Sequence, residues 1–99
     1  MLAAVAAAAP VRAQVGGGAL TGVVVDSSGA ALPAAAVTAR ALGTGLVREV
    51  VTGAAGDYVV QGLAPGAYEL QITLAGFRPL IRTGVRVATG ETLRVDVTL

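Results

Sequence analysis

From Ala19 onward, short segments of alternating hydrophobic and polar residues are separated by clusters of glycine, proline, aspartate and serine. Successive side chains of a β-strand point to opposite faces, so this period of two predicts strands with one buried face. The clearest segment is Tyr68–Leu74, where every second residue is hydrophobic. Seven strands are predicted, at about 19–25, 36–41, 46–52, 58–61, 68–74, 78–87 and 93–99.

Each predicted strand has one hydrophobic face, and a second layer must cover it, so the pattern predicts a two-layer β-sandwich. Beyond the N-terminus only Ala30–Ala36 offers an alternative, a helical turn around Pro33. In the sixth strand the alternation predicts an inward face made of Ile81, Val85 and Val87. It predicts an outward face made of Arg78, Arg82 and Arg86.

The N-terminus has the pattern of a secretory leader. Leu2–Ala9 is an unbroken apolar run, shorter than the roughly 20 residues that span a bilayer. Val11-Arg12-Ala13 then matches a small-residue cleavage site, with the cut before Gln14. No basic residue precedes the run, so the n-region is short or missing; an alanine-rich first helix is the alternative. We predict a signal peptide at 1–13, a flexible linker at 14–18 and a folded domain at 19–99.

Composition supports a packed domain with little surface charge. The chain is 55% hydrophobic and 13% charged, with a formal net charge of +1. Disordered segments are less hydrophobic than this, and nucleic-acid or anionic-membrane binding depends on clustered positive charge. The composition therefore predicts no nucleic-acid partner, and membrane association only through a larger chain.

An ordered set of turn motifs gives a resemblance to a known family. The first part is Gly22-Val23-Val24-Val25-Asp26-Ser27-Ser28-Gly29, followed by Leu32-Pro33. The second is Thr52, Gly56-Asp57-Tyr58, Leu63-Ala64-Pro65-Gly66-Ala67-Tyr68 and Ala75-Gly76-Phe77. Together they resemble the carboxypeptidase regulatory-like (transthyretin-like) domains over nearly the whole chain after Ala19. The chain departs from the family pattern at Ala35, where the family commonly has glycine.

The resemblance implies an all-β fold, a seven-stranded Greek-key β-sandwich of the prealbumin-like or carbohydrate-binding-like type. It implies structural roles for the motif residues Gly22, Asp26, Gly29, Gly56, Tyr58, Leu63, Pro65, Gly66, Tyr68, Gly76 and Phe77. This version is most similar to the N-terminal extension of TonB-dependent, Oar-like receptors, in which the module follows a signal peptide. The expected location is therefore the periplasm or the outer membrane.

The residue types argue against catalysis and cofactor binding. Histidine, cysteine and lysine are absent, which removes the usual nucleophile–base pairs and most metal sites. Asp26 and Asp57 lie in turns and suggest calcium ligands, but carboxylates in turns more often bind their own backbone. No enzyme activity, cofactor or metal is predicted.

The three arginines of the sixth strand could bind anions. The simpler interpretation is cross-strand charge pairing with Glu69, Glu91 and Asp96.

Three functions stay open on the sequence. The first is an accessory module that contacts a protein partner or the rest of a receptor chain. The second is carbohydrate binding, which fold analogy alone suggests, since the chain lacks tryptophan. The third is a non-functional remnant of a larger receptor.

Overall fold

The computed structural model describes residues 17–99. The predicted signal peptide at 1–13 and the first part of the predicted linker lie outside the described residues. Gly18, which was assigned to the linker, is already part of the first strand and is buried.

The described residues form eight short strands and no helix. Their bounds are β1 Gly18–Val25, β2 Ala36–Ala41, β3 Val47–Val51, β4 Asp57–Leu63, β5 Gly66–Thr73, β6 Leu80–Val87, β7 Thr92–Arg94 and β8 Val97–Thr98. Residues at 33–34 form a turn in which Ala34 has a φ of 66°, so the helical alternative for Ala30–Ala36 is wrong.

The strands pair into two sheets. In the first sheet β1 is central, with β4 antiparallel on one side and β7 and β8 parallel on the other. In the second sheet the order is β3-β2-β5-β6 and every pairing is antiparallel. β5 returns to pair with β2 after β4 has crossed to the other sheet, which is the connection of a Greek key. The predicted all-β Greek-key sandwich is confirmed.

The core lies between the two sheets and is mainly aliphatic. Its fully buried larger side chains come from both sheets: Leu20, Val24, Val37, Val60, Leu63, Leu70, Ile72, Val87 and Val97. In β1, β2 and β5 the buried residues occupy every second position, because alternate side chains face the partner sheet. The predicted inward face of the fifth strand is therefore confirmed.

The segment predicted as the seventh strand forms two short strands, β7 and β8, which both pair with β1. Ala19 pairs with Thr92 and Val24 with Val97, so the register along β1 is the same on both sides of the break. At the break, the Oδ1 atom of Asp96 accepts a hydrogen bond from the Val23 N–H at 3.0 Å. The Asp96 side chain thus takes the place of a backbone hydrogen bond between the two strands. This interruption gives eight strands where seven were predicted.

A β-bulge in β6 overturns the predicted inward position of Ile81. Tyr68 pairs with Val85 but Leu70 pairs with Arg82, so β6 contains one residue more than β5 over this interval. Gly84, with a φ of 73°, supplies the left-handed conformation that such a bulge requires. The extra residue reverses the side-chain alternation, and Ile81 is 58% exposed while Arg82 lies on the side of Leu70. Val85 and Val87 are buried as predicted.

Gly66 begins β5 with a φ of 148°, a backbone conformation that residues with a Cβ rarely adopt. No neighbouring atom would obstruct a Cβ at this position. We therefore expect Gly66→Val to lower the free energy of unfolding by about 1–3 kcal/mol through backbone strain alone. Urea denaturation measures the change, and a variant as stable as the parent would contradict it.

Candidate functional site

The first motif turn is held by its own aspartate. The Oδ1 atom of Asp26 accepts hydrogen bonds from the Ser28 hydroxyl at 2.7 Å and from the N–H groups of Ser28 and Ala30. The Ser28 hydroxyl, followed by the Ala30 N–H, holds the pKa of Asp26 below its usual range. Gly29, with a φ of 88°, closes the turn through its N–H to the Asp26 carbonyl. The hydrogen bonds that the Asp26 carboxylate accepts therefore stabilise its own turn.

Asp26 and Asp57, the two aspartates suggested as calcium ligands, belong to no cluster of potential metal-ligating side chains in the described residues. No group of three acidic, histidine or cysteine side chains lies close enough together in 17–99 to hold a metal ion. The turn before Asp57 is held by backbone bonds, from the Gly53 N–H to the Asp57 carbonyl and from the Gly56 N–H to the Gly53 carbonyl.

Gly22, Tyr58 and Val95 form a partly buried contact that joins the last strand to β1 and β4. The Tyr58 hydroxyl donates a hydrogen bond of 2.6 Å to the Val95 carbonyl oxygen, just where β7 ends. That carbonyl lies directly over Gly22, and a Cβ at position 22 would overlap its oxygen and carbon. Two motif residues that are 36 positions apart, Gly22 and Tyr58, thus serve one contact.

Burial, followed by the negative charge of Asp96, raises the pKa of Tyr58 to about 12. The folded state therefore binds this proton more tightly than the unfolded state, in which tyrosine ionises near 10. We expect the contribution of Tyr58 to stability to be complete below pH 10. We expect it to decline by about 1–2 kcal/mol as the pH rises to about 12.

Urea denaturation at several alkaline pH values measures this decline. Tyr58→Phe is the control, because it has no proton to lose and should lack this part of the decline. Equal pH slopes for the parent and the variant would contradict the prediction.

The other motif residues form turns or pack in the core. Gly56 has a φ of 76° and accepts the Val24 N–H through its carbonyl, while Leu63 is buried. The Tyr68 hydroxyl donates to the Ala64 carbonyl at 2.6 Å and so ties the exposed turn at Pro65 to the core. Gly76 has a φ of 89°, and the half-buried Phe77 donates its N–H to the Leu74 carbonyl.

Thr52 is a buried polar residue whose role the sequence did not assign, although it begins the second part of the motif. Its hydroxyl donates to the Leu32 carbonyl at 2.6 Å and accepts the Ala35 N–H at 2.9 Å. The side chain therefore holds the Leu32–Ala35 loop against the end of β3.

The predicted charge pairs of the sixth-strand arginines are wrong. Glu69 pairs instead with Arg40 of β2 at 2.8 Å, and Asp96 pairs with Arg94 at 3.1 Å. Glu91 accepts the Ala88 N–H within its own turn. Arg78, Arg82 and Arg86 are exposed and form no salt bridge with a described residue.

A groove of about 370 Å³ lies between β3 of one sheet and β4 of the other. It is lined by Arg48, Glu49, Val50, Val59, Val60 and Gln61. The guanidinium of Arg48 donates to the Gln61 carbonyl oxygen at 3.1 Å and so bridges the two strands. The lining residues include no nucleophile–base pair. Sequence patterns could not reveal it, because it depends on which strands are outermost in each sheet.

The architecture is that of a small all-β sandwich domain. A profile of the carboxypeptidase regulatory-like domain matches residues 19–99, and the chain belongs to that family. The resemblance seen in the turn motifs is therefore confirmed.

A longer protein contains a similar segment. The TonB-dependent transporter Oar of Myxococcus xanthus is 35% identical over 82 residues, which cover 81% of this chain. The chain covers only 8% of the length of that transporter.

Two solved structures show how widely the fold is used. A candidate carbohydrate-binding protein of Bacteroides uniformis has a TM-score of 0.66 at 16% identity. The match covers 82% of this chain and 40% of that protein. Chlorocatechol 1,2-dioxygenase of Pseudomonas putida has a TM-score of 0.63 at 15% identity, covering 87% of this chain and 61% of the enzyme. At such identities the likeness concerns the fold alone.

No helix among residues 17–99 is long and apolar enough to cross a membrane.

Proposed function

We propose that this chain is a non-catalytic interaction module of an exported bacterial envelope protein. Its place would be the N-terminal extension of a TonB-dependent receptor or a piece of one. The observation that carries the proposal is the 35% identity to the transporter Oar over 81% of this chain. An accessory domain of such a chain would contact either a protein partner or another part of the receptor.

The chemistry of the described residues supports an accessory role. The motif side chains bind backbone groups of their own domain: Asp26 and Thr52 hold turns, and Tyr58 and Tyr68 donate to carbonyl groups. Polar groups used in this way stabilise the fold. Binding by exposed backbone and side chains is the activity that such a domain can perform.

Carbohydrate binding is the second candidate, since a similar fold occurs in the protein from Bacteroides uniformis. Sugar sites usually present exposed aromatic rings. Here Tyr58 and Tyr68 are buried, and Phe77 is half-buried, which leaves little aromatic surface on residues 17–99. Saturable binding on a glycan array that is lost in Phe77→Ala would favour carbohydrate over a protein partner.

Cell fractionation of the source bacterium, with an antibody against the folded domain, tests the proposal. A receptor-sized band in the outer membrane is the expected result, and N-terminal sequencing should show whether processing occurs before Gln14. A small species that begins at Gln14 and stays soluble in the periplasm would indicate a free-standing exported module. Absence from every envelope fraction would overturn the proposal.

A further inference from the structure

The two sheets have four edges, and the edges on one side of the sandwich are obstructed. β6 contains the bulge at Gly84 and follows Pro79, and it exposes Arg82 and Arg86. On the first sheet, β7 and β8 are short and are separated by the Arg94–Asp96 pair. Bulges, prolines, charges and short strands all hinder the addition of another strand.

β4 is also obstructed. Gly18 pairs with Leu63 but Leu20 pairs with Val60, so β4 contains an extra residue near Gly62. The Gln61 carbonyl, at the same point, already accepts the Arg48 guanidinium. An added strand would meet a bent edge with one acceptor occupied.

β3 is the remaining edge, and it is regular. All five of its residues pair with β2 without a register shift, from Val47 with Arg40 to Val51 with Ala36. Hydrogen bonds join the flanking pairs Ala41–Leu46 and Ala35–Thr52. Antiparallel ladders alternate between bonded and non-bonded pairs, so the peptide groups of 47, 49 and 51 point away from β2. Three N–H and three C=O groups are therefore available to a new strand.

The side chains along the β3 edge indicate which residues a binding strand would need. Cross-strand neighbours share a face, and Val37 and Ala39 are fully buried, so Val50 and Arg48 face inward. The outer face consists of Val47, Glu49 and Val51, and the two valines are 54% and 61% exposed. Glu49 forms no salt bridge with a described residue.

A complementary strand would place a lysine or arginine opposite Glu49 and aliphatic residues opposite the valines. A second copy of this chain fits less well. Antiparallel pairing of two β3 strands over their full length would place Glu49 opposite Glu49 of the other copy, and like charges directly opposite are destabilising.

We propose that β3 binds an extended segment of a partner protein by strand addition, with a basic residue opposite Glu49 and an aliphatic residue on each side. This inference rests on the proposed interaction role and names the surface and the partner's chemistry. Backbone bonds would supply affinity and the alternating side chains specificity, as in other cases of strand addition.

The test uses the full 99-residue chain and a capped peptide of sequence TVTKTVT, which has valine, lysine and valine on one face. Backbone amide NMR spectra are recorded up to about 2 mM peptide, the effective concentration that a short flexible tether provides. We expect saturable shifts at residues 46–52. The peptide TVTETVT should bind at least about fivefold more weakly, because its glutamate faces Glu49.

Two matched pairs of variants identify the surface. Glu49→Gln and Gln71→Lys both raise the net charge by one on the same outer face, but only Glu49→Gln should weaken binding of the lysine peptide. Glu49→Lys should reverse the preference between the two peptides.

Val51→Pro removes an outward N–H of β3 and should lower affinity by about fivefold to tenfold. Val59→Pro, which removes the equivalent group of β4, should change affinity by less than about twofold.

Thermal melts show that each variant is folded before binding is compared. No shift at 46–52, equal binding of both peptides, or a larger effect of Val59→Pro would overturn the proposal. None of these results bears on the compartment or size of the native polypeptide, so the envelope role is tested separately by fractionation.

Discussion

Gly22→Ala is expected to lower the free energy of unfolding by more than about 4 kcal/mol, the range reached only by severe structural conflicts. The added Cβ would overlap the carbonyl group of Val95, which is backbone and cannot rotate away as a side chain could. To relieve the overlap the last strand must move off β1. That movement breaks the Tyr58 bond to Val95 and the Asp96 bond to the Val23 N–H.

Gly43→Ala is the matched control for this experiment. Gly43 lies in an exposed turn, and no atom lies within 4 Å of the position that its Cβ would occupy. Its substitution should change stability by less than about 0.5 kcal/mol, as at most surface positions. Urea denaturation measures both variants, and similar midpoints for the two alanine variants would show that the Gly22–Val95 contact is wrong.

Ile72→Ala is expected to cost about 2–5 kcal/mol of stability, because it removes a large side chain from a packed core and leaves a cavity. Ile72 has no solvent exposure, and it lies between Val37 of β2 and Leu80 of β6. The neighbouring strands are fixed by their ladders, so they cannot move inward enough to fill the space.

Ile81→Ala removes the same atoms from the outer face of the adjacent strand. Ile81 is 58% exposed, and its substitution should change stability by less than about 0.5 kcal/mol. The comparison also tests the bulge at Gly84, because simple alternation along β6 would place Ile81 in the core. Equal losses from the two isoleucine variants would contradict the register described for β6.

Local alternation predicted the strands well where both neighbours in the sheet are regular. β2 has the predicted bounds, and β5 has the predicted buried face, since β5 lies between two other strands. Alternation failed in the part of β6 that precedes Gly84, because the residue inserted at the bulge reverses the faces of the residues on that side, whereas Val85 and Val87 are buried as predicted. A glycine in a strand suggests a bulge, but the pairing partner decides whether the extra residue is accommodated there.

The motif residues show a similar division. A short-range role such as that of Asp26 follows from its position in a turn, since its bonds reach only Ser28 and Ala30. The role of Gly22 could not be derived in this way. Glycine is needed at position 22 because the Val95 carbonyl group, 73 residues later in the chain, lies against it. Only the folded arrangement brings Val95 and Gly22 together.

The sequence by itself determined the class of fold, most strand positions, the turns and the family, because these depend on period-two burial and on local backbone conformation. Only the tertiary structure decided where the last strand breaks, which arginines pair with which acids, and that β3 is the regular open edge. Pairing between strands distant in sequence has no local signature. It is decided when the two sheets pack together, because burial of the core selects one register and leaves particular backbone groups at the surface.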